Sequence, residues 1–225
     1  MTRLRALGYR VHAAPTVATA PIAFAPPDLG AFDWVVVTSA AGVEALLGAS
    51  AVPGGTARWA AVGPRTAAAL AGRGVIAAAV PAEARGVSLA GAIAAVEPLA
   101  GLRVLLARAD AAAADLPAAL REAGAAVEEV AVYHTVVGPE DSRPAVRAAL
   151  ADPGLVAAVF ASGSAVRGLL RLAERDPRSL AAVTIGPATT AAARAEGFRV
   201  VAEAVRPGVD GLVQAVTAWR SPDLM

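Results

Sequence analysis

The chain has 225 residues and no cysteine; 20 residues are basic, and none of them is lysine. The first absence excludes disulfides, zinc–thiolate sites and a thiol nucleophile. The second excludes Schiff-base chemistry, which needs a lysine amine. A GC-rich genome and a preference for planar cations that grip carboxylates in a fork both explain an all-arginine set. Aromatic residues are only 4% of the chain, so the core must be Ala, Val and Leu packed closely. The formal net charge is +1 with arginines spread along the chain, which argues against a nucleic-acid surface. The uncharged stretch 11–27 contains Pro15, Pro21, Pro26 and Pro27, which argues against a membrane helix. The N-terminus lacks a signal-peptide pattern, so a soluble, cytoplasmic protein is expected. His12 and His134 have no metal-ligand spacing and are expected to be structural or exposed.

What is present is a repeat. "WVVVTSAAGVEALL" from Trp34 matches "AAVFASGSAVRGLL" from Ala157, which pairs Ser39 with Ser162 at an offset of 162 − 39 = 123 residues. At the same offset Gly63 pairs with Gly186, Thr66 with Thr189, and Gly74 with Gly197. A further match joins "LREAGAAVEEVAVYHTV" from Leu120 to "LRALGYRVHAAPTVATA" from Leu4. Leu120 is preceded by a full strand, Leu4 by three residues. Internal symmetry therefore predicts a missing first strand and helix start, with the strand at Tyr9–Ala14 left at an open sheet edge.

Valine-rich runs alternate with helical patterns. The predicted strands are 34–38, 57–62, 74–80, 102–107, 126–137, 155–160, 181–185 and 198–203. Strands apolar on both faces and joined by helices imply parallel sheets covered on each side. The expected class is α/β, with two similar doubly wound parallel-sheet domains. One is continuous, 20–132; the other is discontinuous, 1–17 plus 136–225. The chain crosses between them near 15–19 and 131–136. These extended segments are expected to pair as a two-stranded connector, with a ligand cleft between the domains.

Four strand-to-helix junctions carry small or hydroxyl residues: "TSAAG" at Thr38, "GPRT" at Gly63, "ASGS" at Ala161 and "GPAT" at Gly186. Ligands of parallel sheets bind beyond the carboxyl ends of strands, and helix N-termini there favour anions. Ser39, Thr66, Ser162 and Thr189 each read equally as plain helix caps. Their repetition favours a site for a multiply charged acid. Dinucleotide, P-loop and nucleophile-elbow motifs are absent.

The ordered set "VVVTSAAGVEAL", "AAVGPRTAAAL", "VEEVAVYHTV", "VFASGSAV" and "TIGPATTAAA" resembles the uroporphyrinogen-III synthase family over nearly the whole chain. The resemblance implies two α/β domains joined by a two-stranded ladder. It implies a monomer that converts hydroxymethylbilane, a linear tetrapyrrole with eight carboxylates, to a macrocycle with its last ring inverted. No cofactor or metal is implied, and no nucleic-acid or membrane partner. Tyr133 in "VYHTV" matches the family's tyrosine at the domain crossing and is the expected proton donor. Thr189, and with less weight Ser39, Thr66, Ser162 and Ser164, are implied as substrate contacts. Three positions depart from the family's pattern: Ala41, Ala161 and the loop Arg108–Ala114. They motivate a second reading, a degenerate paralogue that binds a tetrapyrrole or other polyanion without turnover. A third is a two-lobed sugar- or phosphate-binding protein.

Overall fold

The computed structural model describes residues 1–50, 56–83, 86–206 and 208–219. In chain order the elements are α1 (Thr2–Ala6), β1 (Val17–Pro21), β2 (Trp34–Val37), α2 (Ala40–Ala49), β3 (Arg58–Ala61), α3 (Pro64–Gly72), β4 (Ala77–Ala79), α4 (Gly86–Ala94) and β5 (Arg103–Ala109). There follow α5 (Asp115–Glu122), β6 (Ala126–Val137), α6 (Arg143–Ala151), β7 (Ala157–Phe160), α7 (Gly163–Leu172), β8 (Ala181–Thr184), α8 (Pro187–Ala195), β9 (Arg199–Glu203) and α9 (Val209–Ala218). By its internal contacts the chain divides into Met1–Ala18 with Val136–Met225, and Thr19–Thr135.

In the continuous unit the sheet order is β1-β6-β5-β2-β3-β4. β2 pairs in parallel with β3 on one side and β5 on the other, and β5 pairs in parallel with β6. Successive residues of a strand point to opposite faces. All four residues of β2 are nevertheless buried, because helices cover both sides. Val35 and Val37 pack with Val43, Leu46 and Leu70 from α2 and α3. Trp34 and Val36 pack with Leu89, Ile93, Leu116 and Leu120 from α4 and α5. This is the doubly wound arrangement expected from strands apolar on both faces. The strand order reverses between β2 and β5, which makes the carboxyl ends of these two strands the topological switch point, where such sheets bind ligands.

The strand expected at 74–80 shrinks to Ala77–Ala79. Gly74, at φ +77°, lets α3 close with the Val75 N–H donating to the Leu70 carbonyl at 3.0 Å, so these residues finish the helix before the strand begins. Gly197 closes α8 in the same way at φ +86°, with the Phe198 N–H on the Ala193 carbonyl at 2.9 Å. The 123-residue repeat is thus written in the backbone as well as in the letters.

In the discontinuous unit β7, β8 and β9 form a parallel three-stranded sheet in that order. Val146 and Leu150 of α6, Val166, Leu169 and Leu172 of α7 and Ala193 of α8 pack on one face around Phe160 and Phe198. Ala215 and Val216 of α9 cover Val183 on the other, with Leu4 and Tyr9 beside them. The strand expected at Tyr9–Ala14 does not form: residues 9–16 have no regular structure. No described strand runs alongside to supply ladder hydrogen bonds, and side chains hold the segment instead. His12 Nε2 and Arg10 Nη1 reach Asp152 at 2.8 and 3.2 Å. Thr16 Oγ1 donates to the Ala165 carbonyl of α7 at 2.8 Å, and the Thr16 carbonyl accepts from the Gly138 N–H at 2.9 Å. Gly168 on α7 makes that approach possible, since a Cβ there would stand 2.0 Å from the Thr16 oxygen. Among the described residues no helix is long and apolar enough to cross a membrane.

Candidate active site

Ser39 follows β2 in extended conformation (φ −156°, ψ 157°) and caps α2, its Oγ accepting from the Gly42 N–H at 2.9 Å. Ser162 repeats this for α7 (φ −165°, ψ 159°), with the Ala165 N–H donating at 3.1 Å. Thr66 and Thr189 follow Gly63 and Gly186 in the first turns of α3 and α8, behind Pro64 and Pro187. Proline suits that turn because it has no N–H to leave unpaired. Both threonines are nearly buried, 4% and 5% exposed. Their N–H groups return to the preceding glycine carbonyls at 3.1 Å in each case. Ser164 lies one residue into α7, where its Oγ accepts from Arg167 Nη2 at 3.4 Å.

The helix starts come together within each unit. β2 and β3 are neighbours, so the α2 and α3 starts carrying Ser39 and Thr66 lie side by side. β7 and β8 are neighbours, and a Cβ on Gly163 would stand 2.9 Å from Ala192 of α8. That places Ser162 and Ser164 beside the helix of Thr189. Two of the expected site residues are bonded directly. Ser39 Oγ donates to the Tyr133 hydroxyl at 2.9 Å across 94 residues of sequence. Tyr133 stands near the end of β6, paired with Ala109 of β5, and β5 separates β6 from β2. The phenol therefore reaches over the carboxyl end of β5, beside the switch point. Gly42 makes room for it: a Cβ there would lie 3.2 Å from Val37 Cγ1, 3.3 Å from Ser39 Oγ and 3.7 Å from Tyr133 Cε1.

The loop after β5 folds against the same strand. Arg108 is 7% exposed; its Nη1 donates to Glu129 at 3.1 Å and its Nη2 to the Ala113 carbonyl at 2.6 Å. Arg121 Nη2 reaches the other oxygen of Glu129 at 2.9 Å. Arg108, Arg121 and Glu129 line a shallow depression of about 340 Å³ with Asp110 and Ala131. Ala41 lies in the first turn of α2, and Ala161 is exposed just before Ser162. The sequence shows Arg108 only as a departure from a family loop; nothing in its letters signals a buried anchor. His12 is engaged with Asp152, whose carboxyl the imidazole and the Gly154 N–H hold below the usual carboxylate range.

No curated protein matches the chain. Among solved structures, the uroporphyrinogen-III synthetase of Helicobacter pylori superposes with a TM-score of 0.69 at 18% identity, over 91% of this chain and 91% of that one. A mutant uroporphyrinogen III synthase from Thermus thermophilus superposes with a TM-score of 0.58 at 21% identity, over 97% and 91%. At these identities the two show a shared α/β fold with parallel sheets. The reading as a paralogue without turnover finds no support in these likenesses. The profile of the family described as uroporphyrinogen-III synthase HemD matches residues 1–214, and on that match the chain belongs to the uroporphyrinogen-III synthase family.

Proposed function

We propose that Tyr133 is the proton donor of this enzyme and that the repeated junctions of both units bind its substrate. The family's substrate is a linear tetrapyrrole with eight carboxylates, and its reaction expels the hydroxymethyl oxygen before the ring closes. Hydroxide is a poor leaving group at neutral pH; a positioned acid converts it to water. The single observation that supports Tyr133 is its place: a half-buried phenol at the switch point, held by hydrogen bonds on side chain and backbone. The starts of α3, α7 and α8 supply partial positive charge for carboxylates. Thr66, Thr189, Ser162 and Ser164 stand at those starts. Ser39 joins them less readily, because its one hydroxyl proton is directed at Tyr133.

The bilane also closes unaided to the isomer without ring inversion. Selecting the inverted product is a problem of orientation, for which held geometry supplies several kcal/mol. The finer organisation belongs to the same proposal: two parallel-sheet domains, 1–17 with 136–225 and 20–132, of which 20–132 is doubly wound while β7-β8-β9 runs in one direction without reversal, linked through 15–19 and 131–136, acting as a monomer in the cytoplasm. The test is to supply hydroxymethylbilane to the purified protein without cofactor and to separate the product isomers. The type III isomer in excess of the spontaneous type I product is expected. Type I alone, at the uncatalysed rate, overturns the proposal.

A further inference from the structure

Ser39 is the residue that fixes where the Tyr133 proton points. Three dipoles run in one sense. The Gly42 N–H donates to Ser39 Oγ at 2.9 Å, and Ser39 Oγ–H donates to the Tyr133 oxygen at 2.9 Å. The Tyr133 proton is thereby left pointing away from Ser39. The first donor belongs to the N-terminal turn of the ten-residue helix α2, where unpaired N–H groups carry partial positive charge. Bonds chained in this way polarise one another. A donor aimed at a phenol oxygen stabilises the phenolate more than the phenol, which eases release of the proton.

We infer that Ser39 is a positioning residue rather than a substrate contact: it turns the Tyr133 proton outward and holds the phenolate left when that proton departs. The inference rests on Tyr133 being the donor. The chemistry balances within the family's net loss of one water. The C–O bond of the hydroxymethyl group breaks with its electron pair on oxygen, and the phenol proton completes the water molecule. The phenolate is held by Ser39 Oγ–H. The pyrrole carbon that closes the ring gives up one proton, which restores the phenol. Ser162, the repeat partner of Ser39, caps α7 in the same way. The residue matching Tyr133 in the shorter repeat is Val17, which has no hydroxyl. Capping is thus common to both repeats, whereas the hydroxyl-to-phenol bond belongs to one.

Charged groups on the elements packed against Tyr133 are Glu44 on α2, Arg103 and Arg108 on β5, Asp110 just beyond it, and Glu128, Glu129 and His134 on β6. Glu44 is bonded to Arg73 and Glu129 to Arg108 and Arg121. They surround wild type, Ser39→Ala and Ser39→Thr alike, so a change in Ser39→Ala that Ser39→Thr reverses reports the hydroxyl.

The experiment uses the full chain and measures isomer-resolved initial rates with hydroxymethylbilane. Ser39→Ala removes cap and donor together, Ser39→Asp keeps a cap acceptor but cannot donate when ionised, and Ser39→Thr keeps both. Ser39→Ala and Ser39→Asp are expected to lower kcat for type III formation roughly tenfold or more with little change in KM, the worth of a hydrogen bond to a charged group. The share of type III in the product should fall with it, because spontaneous closure to type I continues unaided. Ser39→Thr should restore both. If the Ser39→Asp rate and isomer ratio match wild type, the positioning role is overturned. If Tyr133→Phe itself leaves the type III rate unchanged, the proton-donor reading fails first, and the two failures are told apart.

Discussion

The Asp110 N–H donates to the Tyr133 carbonyl at 3.1 Å, tying the end of β6 to the loop after β5. With its backbone fixed there, the phenol is placed by its side chain alone. Tyr133→Phe should therefore keep the ring where it is and remove only the hydroxyl. Type III formation is expected to fall roughly 10²-fold or more, the low end for general acid catalysis. Stability should change by about 0.5–1.5 kcal/mol, the net worth of one hydrogen bond. Isomer-resolved initial rates and a urea melt check both; a wild-type rate in the variant removes Tyr133 from the mechanism.

Gly168→Ala should be among the most damaging single-methyl additions. The new Cβ would meet the Thr16 carbonyl, a backbone atom that is itself bonded to the Gly138 N–H. Relief requires segment 16–17 or α7 to shift, at a cost of about 1–3 kcal/mol or more. By comparison Gly48→Ala on α2, where nothing lies within 4 Å, should be neutral or stabilising. Paired chemical denaturation curves separate the two; equal midpoints contradict the packing argument.

Thr190→Val tests a buried hydroxyl pair. Thr184 Oγ1 and Thr190 Oγ1 stand 2.6 Å apart, and Thr190 Oγ1 also donates to Glu203 at the end of β9. Thr184 is 0% exposed, so water cannot replace the lost partner. The shape is conserved but the polar group is not, and a loss of about 1–3 kcal/mol is expected. Thr190→Ser should recover most of it. A Thr190→Val protein as stable as wild type would show that the pair contributes nothing.

Acid should loosen the N-terminal segment through Asp152. Its carboxyl is held below the usual range first by His12 and then by the Gly154 N–H, with Arg10 adding its charge. A depressed carboxylate contributes stability above its unfolded pKa, about 3.9, and loses it as pH falls through the lower folded value. The gap in melting temperature between wild type and Asp152→Asn should thus be present at about pH 5 and close as pH falls below about pH 4. A gap that persists into strong acid would mean that the carboxylate charge is not what holds residues 10–12.

Much of this protein is legible in its letters. Both faces of β2 had to be covered because Trp34–Val37 contains no polar residue, and only a parallel sheet with helices on each side does that. The capping roles of Ser39 and Ser162 follow from their place between a strand and an alanine-rich helix. The repeat located the junctions in both halves. The strand expected at Tyr9–Ala14 rested on the match to β6, and a repeat in the letters carries the side chains but not the neighbouring strand that a backbone needs for its ladder. The tertiary structure alone decided what Ser39 does with its proton, why Gly42 is a glycine, and that Arg108 is an anchor. Periodicity and capping act over a few residues and leave their mark in the local sequence. A bond between residues 39 and 133 depends on β5 being inserted between β2 and β6, and that order is set by the packing of the whole sheet.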